Sequence, residues 1–393
     1  MPDTVTRPPG SGARLGRRPV CPRGALASDP VTITDVDIAR WRLCSQRLVG
    51  EGRPNAETVV RELLCVQAEN QAQSAWAVAA RTVRPDPGDL DAALADGRVL
   101  RTHVIRPTWH YVTPDDLVWL LDLTAPRVRA TFALQLEQQH GLDPARVDRL
   151  GGVIGEAMRG GKHLTRPELA ALLAEQGHDL TGTALMVLLG ELEQQQLLCS
   201  GAPAGGVHTY ALLSERIPQP RRLDRKEALA ELALRYVAGH GPATYRDLAY
   251  WATLTPTDAK AGFESVADRL ATFEHEGRTY WHLPGEEPPG GPAEPRAHLL
   301  QLLDEMYRGF QDSRMVLDAA GAVPRGRESA IGMVLHDGQL VASMKRATSS
   351  RAVTFAIAPY GSWRARMLAD VEAAAAAYGD YLGLAPRVKV DVA

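Results

Sequence analysis

The chain has 393 residues, 45% of them apolar and 23% charged, with 44 Lys and Arg against 47 Asp and Glu and a formal charge of −3. That length exceeds one compact core and implies about two to four domains, and the composition is that of a folded protein rather than a fibrous or disordered one. No apolar run of about 20 residues is present to cross a membrane, the Arg-, Pro- and Gly-rich N-terminus lacks the apolar stretch of a secretion signal, and the acidic balance means that any nucleic acid must be met by a local cationic patch. A cytoplasmic protein is expected. Cys21, Cys44, Cys65 and Cys199 lie far apart with no CxxC pair, which argues against a zinc cage or a disulfide framework.

Residues 1–30 carry too little apolar surface to order themselves and read as a flexible tail. From Thr34 the pattern becomes helical, with Asp35 or Asp37 capping a helix through Ile38, Trp41, Leu43 and Leu48 that Gly50 and Gly52 stop. Asn55 opens a second helix through Val59, Val60, Leu63 and Leu64, a third ends near Arg81, and a short one follows at 89–94. Residues 99–105 and 108–112 read as two strands about Arg106-Pro107, so that helices followed by a hairpin give the winged-helix order, a relative of the helix-turn-helix. The order recurs with helices at 147–158, 166–175 (capped by Thr165) and 183–195 before strands at 197–199 and 209–213, and again with helices at 225–237, 245–253 and 256–269 before a hairpin at 271–283. A Pro- and Gly-rich linker, 284–295, leads to alternating runs at 329–335, 339–345 and 353–357, the first two joined by His336-Asp337-Gly338, and to a helix at 363–378.

The expected fold is therefore α+β: a tail at 1–30, three tandem winged helices at 31–140, 141–220 and 221–285, and a small β-barrel-like domain at 286–393. Catalytic signatures for nucleotides and metals are missing. The run from Gly155 to His163 imitates a phosphate-binding loop but has an extra Gly before Lys162 and a His where Ser or Thr should meet magnesium. Glu274-His275-Glu276 sits at a hairpin tip, where such residues are ordinarily solvated. No cofactor and no metal is expected.

One stretch has the composition of a site. Gln67, Glu69, Asn70, Gln71 and Gln73 crowd the start of an apolar helix that carries Trp76, and buried polar groups without partners cost about 1–3 kcal/mol each.

Val66-Gln67-Ala68-Glu69 followed by 76–81, Arg106-Pro107-Thr108-Trp109-His110, residues 164–169, Gly241-Pro242-Ala243-Thr244, and Leu303-Asp304-Glu305 with Gly309-Phe310 and Asp312-Ser313-Arg314 together resemble the AlkZ-like winged-helix DNA glycosylases over about 38–382. The resemblance implies tandem winged helices and a C-terminal β-barrel around a channel that grips duplex DNA. It also implies release of alkylated guanine from DNA, in general repair, in crosslink repair or in self-resistance to a DNA-alkylating natural product. The family's catalytic motif is Gln, an apolar residue, then Gln or Asp. Matched by Trp76, it falls on Gln67, Ala68 and Glu69, so this chain departs from the double-Gln form. A second frame, Gln71-Ala72-Gln73, fits by letters but lies too close to Trp76.

Hydrolysis of an N-glycosidic bond passes through an oxocarbenium-like state that a carboxylate stabilises while it positions and partly deprotonates water. An N7-alkylguanine already carries positive charge and leaves without a general acid, so Glu69 alone suffices as a base, with Gln67 orienting the water. Arg106, His110, Arg314, Lys345 and Arg346 are candidate contacts to DNA or lesion, set against ordinary structural roles for each. The expected partner is double-stranded DNA bearing alkylated guanine, bound by a monomer. The alternative is a non-catalytic winged-helix DNA binder or transcription regulator, although no heptad or other dimer segment is evident.

Overall fold

The computed structural model describes residues 32–301, 303–324 and 332–391. The tail expected at 1–30 and the first residues of the strand expected at 329–335 lie outside the described residues. Helix α1 (Asp35–Ser45) is capped by Thr34, whose hydroxyl accepts the Asp37 amide while the Asp37 carboxylate accepts the Thr34 amide. Asp37 thus completes a capping box and is not itself the cap. Helix α1 packs chiefly on the short 3-10 helix Arg314–Asp318 rather than on the helix directly after it. Ile38 and Leu43 join Tyr280, Met306, Leu317 and Leu335 in a core shared with the far end of the chain.

The next elements are α2 (Ala56–Leu63), β1 (Cys65–Gln67), α3 (Gln71–Ala79), α4 (Pro87–Ala95), β2 (Leu100–His103) and β3 (Trp109–Val112), with a three-stranded sheet in the order β1-β3-β2. A 27-residue helix, α5 (Pro114–His140), carries Pro126 on its exposed face. After it come α6 (Pro144–Met158), β4 (Leu164–Thr165), α7 (Arg166–Glu175), α8 (Gly182–Gln194), β5 (Leu198–Ser200), β6 (Thr209–Leu212) and α9 (Leu213–Arg216), with sheet order β4-β6-β5. The set α10 (Arg225–His240), α11 (Tyr245–Trp251), α12 (Pro256–Ser265), β7 (Ala271–His275) and β8 (Arg278–His282) repeats the plan, a bridge between Ala243 and Trp281 standing for the short first strand. Helix, short strand, two helices and hairpin thus occur three times. The short strands escape sequence reading because two or three residues cannot display a period of two, and α5 fills a segment to which the sequence analysis assigns no element.

The rest of the chain supplies β9 (Ala297–Leu300), α13 (Glu305–Arg308), β10 (Gly332–His336), β11 (Gln339–Thr348), β12 (Ala352–Pro359), α14 (Ala365–Leu382) and β13 (Ala385–Val390). These strands form one sheet in the order β13-β12-β11-β10-β9. Asp337 and Gly338, at φ 52° and 79°, make the tight turn that their sequence predicts between β10 and β11. The sheet reaches only half of the barrel-like domain expected there. The sheet is open, because β13 runs parallel beside β12 rather than closing onto β9, and α14 is the crossover that a parallel pair requires. Val371, Ala375 and Tyr378 of α14 pack on Val334, Ala342, Phe355 and Ile357, where Trp76 of α3 joins them.

Residues 304–313 fasten the sheet to the repeated units through buried charges. Asp304 takes two hydrogen bonds from the Arg81 guanidinium, at 2.8 and 3.1 Å. Asp247 of α11 accepts the amides of Gln311 and Ser313, at 2.9 and 3.0 Å, with Arg42 3.9 Å away. Cys65 and Cys199 are free and buried.

Candidate active site

Strand β1 ends at Gln67, and the chain turns through Ala68 and Glu69 before Asn70 caps α3 by accepting the Gln73 amide. The amide-rich stretch is therefore a strand end, a turn and a helix cap. Gln67 is 3% exposed. Its Oε1 accepts the Glu69 amide at 2.9 Å, which closes the turn, while its Nε2 makes no hydrogen bond among the described residues. The Gln67 side chain is thus committed to structure through Oε1.

Glu69 is exposed. Its Oε2 accepts the Trp109 amide at 3.2 Å, and its Oε1 has no partner among the described residues. The turn is held from the other side as well, because the Ala68 amide donates to the Trp109 carbonyl at 2.7 Å. Arg101 donates from Nε to the Ala68 carbonyl at 3.0 Å and from Nη2 to the Glu69 carbonyl at 3.3 Å. Its guanidinium lies 3.5 Å from the centre of the Trp109 ring, a cation–π contact. A carboxylate fixed by one oxygen and free at the other can accept a hydrogen bond from water and draw off a proton.

Behind the turn lies a set of buried polar groups. His110 pairs across the sheet with Gln67 and is 0% exposed. Its Nδ1–H donates to the Thr108 carbonyl at 2.8 Å, and its Nε2 accepts from Arg106 at 3.1–3.3 Å. Burial first, and then the charge of Arg106, lower its pKa to about 3, so the ring is neutral. Arg106, with its side chain 11% exposed, also donates to the Arg308 carbonyl at 3.2 Å. Ile105, directly before it, has a φ of 45°, rare for a β-branched residue and kept only where the surroundings enforce it. Both residues, expected as candidate contacts to DNA or lesion, stand inside the protein behind Gln67.

The central member of this set, Glu305 of α13, is 0% exposed. Its Oε1 accepts the Gln67 amide at 2.8 Å with Arg106 3.9 Å away, and its Oε2 accepts Trp251 Nε1–H at 2.7 Å and faces His240 Nε2 at 3.4 Å. Burial works to raise the carboxyl pKa, but the hydrogen bond from His240 and the charge of Arg106 outweigh it and bring the value to about 2. Glu305 is thus an anion enclosed by donors.

The remaining candidates lie elsewhere. Arg314 turns its guanidinium onto the carbonyls of Tyr307 and Phe310 and over the Tyr307 ring at 4.2 Å. Lys345 and Arg346 sit on β11, the former exposed, the latter packed over Tyr378 at 5.1 Å. Gln73, from the second reading frame, lines a cavity of about 30 Å³ with Trp76, Gln301 and Arg346, which is room for a water rather than a base. The phosphate-loop imitation is filled by the chain itself, since the Gly160 and Gly161 amides donate to Glu215 at 3.0 and 2.6 Å. Among the described residues no group of three or more His, Cys, Asp or Glu converges as metal ligands, and no helix is long and apolar enough to cross a membrane.

Sequence reading does not single out Arg101 or His240, and names Glu305 only within the stretch Leu303-Asp304-Glu305 that carries the resemblance, with no role of its own. Arg101 left a signal as a lone charge in the apolar strand 99–105, and Glu305 left one as half of an adjacent acidic pair.

The model of the family described as AlkZ-like, DNA glycosylase AlkZ-like, matches residues 60–381. An interstrand DNA cross-link repair glycosylase of Streptomyces sahachiroi is 26% identical over 253 residues, which are 61% of this chain and 66% of the relative, so the match spans slightly less than two thirds of that protein. The solved structure of the Streptomyces sahachiroi DNA glycosylase AlkZ is similar with a TM-score of 0.75 at 22% identity, over 92% of this chain and 100% of that one.

Proposed function

Since the chain belongs to the AlkZ-like DNA glycosylase family, we propose that it is a monofunctional DNA glycosylase that hydrolyses the N-glycosidic bond of bulky N7-alkylguanine in duplex DNA and unhooks crosslinks made through that atom. The observation that carries the reading is the exposed Glu69 carboxylate, anchored by the Trp109 amide at Oε2 and without a partner at Oε1 among the described residues, in a turn closed by the Glu69 amide donating to Gln67 Oε1. In this reading Glu69 accepts a hydrogen bond from the attacking water and takes its proton, while Gln67 Nε2 donates to the water oxygen. The cationic base departs as neutral alkylguanine, and the carboxylate stabilises charge developing on the sugar.

The three helix-strand-helix-helix-hairpin units, two of them with identical sheet orders, support three winged helices at 31–140, 141–220 and 221–285, with residues 286–393 as a further domain. These units grip the duplex and the protein acts as a monomer. In a producer of a DNA-alkylating compound the activity gives self-protection. The test is a duplex holding one nitrogen-mustard crosslink between guanines, resolved on a denaturing gel after incubation. Separation of the strands, with breaks at the former guanines after alkali, supports the reading. A crosslink left intact by protein that binds the duplex favours a non-catalytic DNA binder.

A further inference from the structure

Glu305 lies 238 residues from Gln67 in sequence, yet it receives the backbone N–H of the motif's first residue. Four groups surround its carboxylate, and they come from two of the repeated units. Gln67 and Arg106 belong to the first, Trp251 and His240 to the third. The link onward to solvent is short. Gln67 is fixed by its amide, its Oε1 is fixed by the Glu69 amide, and the Glu69 carboxylate is fixed by the Trp109 amide. We infer that Glu305 is a positioning residue for base excision, one that holds the Gln67–Glu69 turn at the depth where Gln67 Nε2 and Glu69 Oε1 meet the same water. This rests on the proposed glycosylase reading.

The geometry separates this role from general stabilisation. Asp304, the neighbouring residue, is equally enclosed in an ion pair with Arg81, but that pair touches neither Gln67 nor Glu69. Removing charge from Asp304 weakens the fold, whereas shortening Glu305 moves the turn. Glu305→Asp withdraws the carboxylate by about one carbon–carbon bond, ~1.5 Å, so the 2.8 Å contact to the Gln67 amide opens beyond hydrogen-bond range. A displacement of about 1 Å in a reacting geometry lowers the rate on the order of 10²-fold.

The experiment measures single-turnover excision with saturating protein on a duplex bearing a nitrogen-mustard monoadduct at guanine N7, together with DNA affinity and melting temperature. Under these conditions a partly unfolded preparation loses active fraction but keeps its rate constant, so the rate constant reports positioning. Glu305→Asp is expected to lower it on the order of 10²-fold at unchanged duplex affinity, and Asp304→Asn to lower melting while leaving it at the parent value. Where Glu305→Asp does not fold, Glu305→Gln replaces it. That residue fills the same space but offers one oxygen to the two N–H donors Gln67 and Trp251, and the same slowing is expected. A parent rate constant in the folded Glu305 variant, or equal slowing in Asp304→Asn, overturns the inference while leaving the glycosylase reading standing. No excision by the parent protein overturns both.

Discussion

Replacing Glu69 by Gln distinguishes a base from a mere holder of water. The substitution converts the motif to the double-Gln form that the family pattern also contains, keeps the size of the side chain, and removes the charge. The new amide can still accept the Trp109 amide through its oxygen, where Glu69 Oε2 now accepts it at 3.2 Å, so the turn keeps its shape. Because the side chain is exposed, the stability change stays within about 0.5 kcal/mol. What disappears is the free carboxylate oxygen, and loss of a general base lowers rates by about 10²–10⁴-fold. The assay is single-turnover release of N7-alkylguanine at saturating protein, with duplex affinity measured in parallel. Affinity is expected to hold or improve slightly, because a carboxylate near phosphates repels them. A parent rate in Glu69→Gln would refute proton transfer to Glu69 and leave water positioning by amides as the mechanism, and a parent rate in Glu69→Ala as well would remove the residue from the site.

Further outcomes follow from the same geometry. Gln67→Ala is expected to slow excision less than Glu69→Gln and to destabilise the fold by about 1–3 kcal/mol, since the Glu69 amide loses its acceptor; Gln73→Ala should melt and react like the parent, and the reverse pattern in the rates would assign the motif to the second frame. Affinity for a short duplex should fall with rising salt along a log–log slope of about −3 or steeper, as three or more phosphate contacts require, and a flat dependence would count against a cationic channel. Acid should destabilise the protein before its carboxylates protonate. Burial holds His110 and His208 neutral with pKa values of about 3, and His298 with one of about 4. The unfolded chain takes up protons at these positions below pH 6.5 and the folded chain does not, so their contribution is complete above 6.5 and declines as pH falls toward 4, by on the order of 2 kcal/mol per buried histidine at pH 5. Equal melting temperatures at pH 7 and pH 5 would contradict it.

What the sequence made legible follows from the range of each interaction. Caps and helical periodicity are local, so Thr165 announces α7 and Asp337-Gly338 announces the β10–β11 turn. The Gln67-Ala68-Glu69 stretch is visible because amides and a carboxylate are out of place before an apolar helix. Its pairing with Glu305 is not, because a contact across 238 residues leaves no periodicity that joins the two segments, although Leu303-Asp304-Glu305 is among the stretches that carry the resemblance. For His110 and Arg106 the sequence leaves a contact to DNA or lesion and a structural role both open, and in the fold they hydrogen-bond to one another and to the Thr108 and Arg308 carbonyls. The barrel-like domain is an open half-barrel for a topological reason, since nothing in 385–390 signals a strand that returns parallel to β12.

The most direct measurement is mass spectrometry of what the protein releases from a duplex carrying one N7-alkylguanine. Free alkylguanine is expected in amounts equal to the abasic sites formed, with no strand break before alkali and loss of both products in Glu69→Ala. Tight binding to the duplex with no base released would contradict it.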